Sequence, residues 1–113
     1  MSLNLFAGIS VTDLATAQGW YTRLFGAAPS FFPNDVEAVW ELAENRFVYI
    51  EQRPEHAGHT LNTLIVDDLD ATVVGITERG LTPSSTETYD NGVRKITYTD
   101  ADGNETGFGG LPA

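Results

Sequence analysis

Ile9-Ser10-Val11-Thr12-Asp13-Leu14 and Leu64-Ile65-Val66-Asp67-Asp68-Leu69 are two versions of one phrase. They share Val, Asp and Leu at a constant offset of 55 (11→66, 13→68, 14→69). Each starts in an apolar, β-rich stretch and passes through an Asp into a segment with helical patterning. That segment ends near a glycine, Gly26 in the first copy and Gly80 in the second. A repeat near half the chain length points to two copies of one supersecondary unit. A pseudo-symmetric pair of units also leaves room for a ligand site between them.

Working outward from the first copy, residues 5–11 read as a strand and Asp13 as a helix N-cap. Ala17, Trp20, Tyr21, Leu24 and Phe25 recur at helical spacing, which predicts a helix over 13–25 stopped by Gly26. Pro29 to Phe32 reads as a short strand and Pro33-Asn34-Asp35 as a turn. Residues 38–42 and 47–51 form a hairpin about a tight turn at Glu44-Asn45. The first module, about 4–52, is therefore βαβββ. Residues 52–60 are polar, hold Pro54, Gly58 and both histidines, and read as the linker.

The second module, about 61–112, repeats the order. A strand over 61–66 leads to Asp68, which caps a helix over 69–79 ended by Gly80 and Pro83. Strands follow near Ser85–Tyr89, over 93–99 and over 105–108, joined by turns at Asp90-Asn91-Gly92 and Asp102-Gly103. Gly109-Gly110 is expected to turn the last strand away from its sheet. Gly107, Gly109 and Gly110 precede no helix, so they make no phosphate loop.

The 113 residues suit one domain, and 42% apolar content is globular. No apolar run is long enough to span a bilayer, and nothing resembles a secretory leader, so a cytoplasmic location is expected. Met1-Ser2-Leu3 reads as a short cloning leader. The absence of cysteine excludes disulfides, thiolate metal sites and a cysteine nucleophile. Sixteen acids against six bases give a net charge of −10, which argues against nucleic acid. The same charge favours cationic ligands by steering, while the scatter of the acids also serves solubility.

Together these residues resemble the vicinal oxygen chelate superfamily, which includes glyoxalase I, bleomycin-resistance proteins and extradiol dioxygenases. The resemblance rests on Val11-x-Asp13-Leu14 leading into Trp20-Tyr21 and Leu24-Phe25-Gly26, on Val66-Asp67-Asp68-Leu69, and on Tyr98-Thr99-Asp100-Ala101-Asp102-Gly103. It covers residues 4–112. It implies an α+β fold of paired βαβββ modules, with half-open curved sheets around a cavity, and a homodimer.

Metal-dependent members of that superfamily take one ligand each from the first, fourth, fifth and eighth strands. Carried over position by position, these are Phe6, Glu51, Leu61 and Gly107. Three of the four have no side-chain lone pair to offer, and a divalent ion needs several convergent donors. The resemblance therefore implies a chain without a metal cofactor. Glu105 shares the strand parity of Gly107 and is the candidate substitute there; His59 shares that of Leu61, and a rebuilt site would draw on His59, Glu51 and a residue of a second subunit.

Strand alternation sorts the two faces. Ala7, Ile9, Val11, Val48, Ile50, Leu64 and Val66 are aliphatic and suit packing beneath helices. If the ligand positions carried over from the resemblance face inward, Phe6, Ser10, Phe47, Tyr49, Glu51, Leu61 and Thr63 point into the cup, with Trp40 as a further wall residue. Two readings fit this inward set. It lines an aromatic-walled small-molecule pocket, or its aromatics plug the cup as side chains fill a small barrel. The expected function is metal-free sequestration of a small aromatic or cationic compound, with Glu51 pairing a cationic group. The alternative is a metal-dependent lyase, isomerase or dioxygenase with rearranged ligands. No serine–histidine–aspartate arrangement is legible, and catalysis is left open. The expected partners are a small-molecule ligand and a second copy of the chain, with no nucleic acid and no membrane.

Overall fold

The structure, a computed structural model, describes residues 2–111. Met1 of the expected leader and Pro112 at the expected end of the second module lie outside the described residues. The first module is β1 (Leu5–Val11), α1 (Leu14–Phe25), β2 (Phe31–Asn34), β3 (Glu37–Ala43) and β4 (Arg46–Gln52). A single 3₁₀ turn, Pro54–His56, interrupts the linker. The second module is β5 (Leu61–Ile65), α2 (Leu69–Glu78), β6 (Ser85–Thr88), β7 (Arg94–Thr99) and β8 (Glu105–Gly110). The strands form two four-stranded sheets, ordered β1-β4-β3-β2 and β5-β8-β7-β6. In each sheet the outer pair, β1 with β4 and β5 with β8, is parallel. Among the described residues, no helix is long and apolar enough to cross a membrane.

Local chemistry sets the helix ends. Asp13 accepts from the Thr16 N–H at 2.9 Å, and Asp68 accepts from the Ala71 N–H at 3.0 Å. Each carboxylate thereby satisfies a backbone donor that the first helical turn leaves free. Gly26 closes α1 at φ 78°, a left-handed conformation that only glycine adopts without strain.

The predicted two-faced alternation holds. Ile9, Val11, Val48 and Ile50 are buried under α1 with Ala17, Tyr21 and Leu24. One continuous core runs on into the second module through Leu69, Ile76, Ile96, Tyr98 and Phe108.

Three expectations need correction. Trp40 is no wall residue of the cup: it is 1% exposed and packs at 5.6 Å from Phe25 and 6.2 Å from Tyr21. An unbroken two-residue hairpin would place Trp40 opposite Tyr49. The β3–β4 register instead shifts between Glu41 and Ala43, and Trp40 falls opposite Val48. That one-residue bulge at Leu42 moves the indole to the helix side, where its N–H donates to the Ala27 carbonyl at 2.8 Å.

Gly109-Gly110 does not leave the sheet; both residues are in β8, paired to β7. A Cβ on Gly110 would lie 2.7 Å from the Leu69 Cβ, so the glycine lets α2 sit directly on the strand. Pro33 and Asn34 belong to β2 rather than to a turn. Because β2 is an edge strand, the missing N–H of Pro33 disrupts no inner ladder.

A buried polar network joins the modules. The Tyr21 hydroxyl donates to Asp100 Oδ2 at 2.7 Å, and Asn104 Nδ2 donates to the same oxygen at 2.9 Å. Asp100 Oδ1 accepts the N–H groups of Asp102 and Asn104. Asn104 Nδ2 also donates to the Ser10 carbonyl, and Asn104 Oδ1 accepts the linker N–H groups of Gly58 and Thr60.

Candidate functional site

The face of the first sheet turned away from α1 carries the aromatic residues that the sequence assigned to a ligand. Register places them in three rows: Phe6–Phe47–Glu41, then Gly8–Tyr49–Val39–Phe31, then Ser10–Glu51–Glu37. Phe6 and Phe47 stack with centroids 4.3 Å apart and planes 5° from parallel. Phe31 meets Phe47 edge-on at 6.4 Å. A Cβ on Gly8 would come within 2.6 Å of Tyr49 Cζ, so it is the bare backbone that lets the tyrosine ring lie across β1. Phe6 and Phe31 remain 49% and 43% exposed, so the cluster is a platform rather than a sealed plug.

Acidic groups border that platform. Glu37 and Glu51 are directly opposed across β3 and β4, and Glu41 is opposed to Phe47. Glu37 accepts from Asn34 Nδ2 at 2.6 Å. Arg53 approaches Glu51 only to 3.9 Å, at the rim. Aromatic faces attract cations through their quadrupole, and carboxylates reinforce that sign. Sequence reading missed Glu37, Glu41 and Phe31, because the bulge that buries Trp40 also sets which residues of the hairpin reach this face.

The matching face of the second sheet is different. Its rows are Leu61–Glu105–Thr99, Thr63–Gly107–Thr97–Ser85 and Ile65–Gly109–Lys95–Glu87. The Lys95 side chain crosses Gly107, where a Cβ would lie 2.6 Å from its Cε. Leu61 and Ile65 are 61% and 64% exposed. Phe6, Ser10, Phe47, Tyr49 and Glu51 are thus brought together on one sheet. Leu61 and Thr63 occupy the corresponding face of the other.

At the four strand positions that the resemblance assigns to metal ligands, the side chains are a stacked phenyl ring, a carboxylate, an exposed leucine and none. Among the described residues, no three His, Asp or Glu side chains gather at metal-binding range. His59 is exposed in the linker.

Two hollows lie away from the aromatic face. One, of about 160 Å³, is bordered by Thr12, Asp13, Thr16, Trp20, Asp100 and Asp102. The Thr16 hydroxyl and backbone N–H beside Asp13 hold its carboxyl below the usual carboxylate range. Nearby, burial and then the Asp100 carboxylate push the Tyr21 phenol far above its ordinary value. The other hollow, a cleft of about 840 Å³, runs beside β5 and α2.

The family model for the glyoxalase/bleomycin resistance protein/dioxygenase superfamily matches residues 3–108. A glyoxalase/bleomycin resistance protein from Catenulispora acidiphila is 57% identical, with a TM-score of 0.95 over 98% of this chain and 100% of that one. The fold is also similar to a bleomycin-binding protein solved with bleomycin (16% identity, TM-score 0.77, covering 96% and 98% of the two chains). A lactoylglutathione lyase from Agrobacterium tumefaciens shares it too (13% identity, TM-score 0.76, 97% and 94% covered). No curated protein matches the chain. With the family model spanning nearly all of it, and both βαβββ modules in place, the chain belongs to the glyoxalase/bleomycin resistance protein/dioxygenase superfamily.

Proposed function

We propose that this protein binds and sequesters a small, flat, cationic aromatic compound on the open face of its first sheet, without a metal ion. The observation that carries this reading is the half-exposed stack of Phe6 and Phe47, flanked by Phe31 and bordered by Glu37, Glu41 and Glu51. A planar ring adds to such a stack, and a positive charge is drawn to the three carboxylates. Sequestration requires affinity alone, so a strand set with one carboxylate at the inherited metal positions costs it nothing. The similarity to a bleomycin-binding protein supports the same class of activity.

A second copy of the chain covers this face in the working form. Phe6, Phe31, Leu61 and Ile65 are all more than 40% exposed, a concentration of apolar surface that soluble monomers avoid. The rows of the second sheet that carry Leu61, Thr63 and Ile65 would then close over the aromatic platform of the partner.

The test is calorimetric titration with a planar cationic dye, its neutral analogue and bleomycin. The cationic dye is expected to bind, and Phe47→Ala to weaken it by about tenfold or more. Absence of binding by all three compounds, or indifference to Phe47→Ala, overturns the reading. The position of Glu51 favours one rival, a metal-dependent enzyme. Stoichiometric zinc, iron, nickel or manganese in untagged protein, lost on Glu51→Gln, would establish that rival. Light scattering that shows a monomer at tens of micromolar would remove the second copy.

A further inference from the structure

The two modules share one topology, but one closes against its neighbour and the other does not. At the repeat offset, Thr12, Thr16, Ala17 and Trp20 correspond to Asp67, Ala71, Thr72 and Gly75. In the first module Trp20 helps fill the space beside its helix, and the hollow there is about 160 Å³. The β7–β8 turn seals it, with Asp102 accepting the Thr12 N–H and Asn104 donating to the Ser10 carbonyl. In the second module the tryptophan is replaced by Gly75, and the corresponding β3–β4 turn stands off. Among the described residues, no hydrogen bond joins that turn to Ile65, Val66 or Asp67. What remains is the cleft of about 840 Å³, a size typical of small-molecule sites.

We propose that this cleft is a second binding site, separate from the aromatic face, for a small organic carboxylate with an apolar body. Its walls are Leu24, Phe25, Leu42, Ile65 and Phe108. Two of the chain's six basic residues, Arg46 and Arg79, line it, against one carboxylate, Asp67. In a protein of net charge −10 that is a local reversal of sign.

Arg79 is held in place. Its Nε donates to the Arg23 carbonyl and its Nη2 to the Leu24 carbonyl, at the end of α1. Gly75 gives it room, because a Cβ there would lie 3.1 Å from Arg79 Nη1 and the guanidinium would have to give by a few tenths of an ångström. A guanidinium carries five N–H donors in a planar fork, so two carbonyl bonds leave others for a ligand. Arg46 is exposed, and among the described residues no carboxylate lies within ion-pair range of it. A fixed and a free guanidinium beside Leu24, Phe25 and Phe108 select a carboxylate through charge-assisted hydrogen bonds and a hydrophobic tail through burial.

The experiment is isothermal titration of the full chain with 4-phenylbutyrate, and with 4-phenylbutylamine as its cationic counterpart. The acid is expected to bind and the amine to show no binding that depends on Arg46, any uptake of the amine on the aromatic face being lost with Phe47→Ala. Arg46→Gln should weaken the acid several-fold at an unchanged melting temperature. Asp67→Asn should strengthen it, and Gly75→Leu, which fills the cleft, should abolish it. Phe47→Ala, on the aromatic face, should leave it unchanged. The proposal is overturned by failure of the acid to bind at millimolar concentration. It is overturned equally by binding that ignores Arg46→Gln, or by binding lost with Phe47→Ala. Because Arg46 is exposed, its variant keeps the test independent of whether Gly75→Leu folds.

Discussion

The Tyr21 hydroxyl lies 2.7 Å from the Asp100 carboxylate, joining α1 of the first module to the β7–β8 turn of the second. Both residues are buried, and the contact spans 79 positions of sequence. Asp100 sits at the centre of a set of donors: one hydroxyl, one side-chain amide and two backbone N–H groups. A carboxylate removed from water is tolerated when its lone pairs are filled in this way.

Tyr21→Phe removes one of those donors and leaves the ring packing intact. Stability should fall by about 1–3 kcal/mol, the cost of thinning the hydrogen bonding around a buried charge. Urea denaturation reads this directly. A loss below 0.5 kcal/mol would mean that the remaining donors, or water, hold Asp100 without help.

The same tyrosine makes stability depend on alkaline pH. Its phenol is raised in the folded state by burial and by Asp100, while in the unfolded chain it ionises near pH 10. Its contribution is therefore complete below pH 10 and is lost as pH rises above that value. In this range the unfolded state has released the proton and the folded state has kept it. Tyr98 is shifted in the same direction, with burial as the main cause. Wild-type stability should fall between pH 10 and 11, and Tyr21→Phe should fall less steeply, by up to about 1.4 kcal/mol per pH unit. Equal slopes would show that Tyr21 ionises as freely when folded as when unfolded.

Gly58 and Gly80 separate two costs of adding a methyl group. Both have positive φ, 97° and 93°. A Cβ on Gly58 would meet the Asp102 carbonyl oxygen at 2.5 Å, while one on Gly80 meets nothing within 4 Å. Gly80→Ala should cost about 1 kcal/mol for its backbone conformation alone. Gly58→Ala should cost about 2–4 kcal/mol, because backbone must move against backbone. Thermal melts of the two variants side by side decide it; equal losses would mean that the linker yields freely.

Gly8→Ala should leave the fold nearly unchanged and disturb the aromatic platform. The atoms in its way are the far end of the Tyr49 ring, which can swing aside. Stability should change by about 1 kcal/mol or less, since the moving group is half-buried. Binding of a planar cationic dye should change several-fold. A variant with unaltered dye affinity would place Tyr49 outside the ligand contact.

Patterns that repeat within a few residues were legible in the sequence. The alternation of Ile9, Val11, Val48 and Ile50 fixed which face lies under α1, and Asp13 and Asp68 marked both helix starts. The position of Trp40 was not legible, because a bulge at Leu42 reverses parity without any glycine or proline to announce it. Gly109 and Gly110 read as a chain exit, because their purpose is set by Leu69 and Ile65 packing above them. The cleft beside Gly75 was also out of reach. It arises where α1, the β3–β4 turn, β5 and α2 meet, and no local pattern records that meeting.

The network at Asn104 has a consequence for the order in which this protein is made. Ser10 and Tyr21 are translated before Asp100 and Asn104, the residues that satisfy them. Until then the nascent first module carries an unsealed β1 edge and a tyrosine hydroxyl without its acceptor. Contacts this distant in sequence form late and slowly. A chain cut short before Asp100 would therefore be open to aggregation and proteolysis rather than a working half.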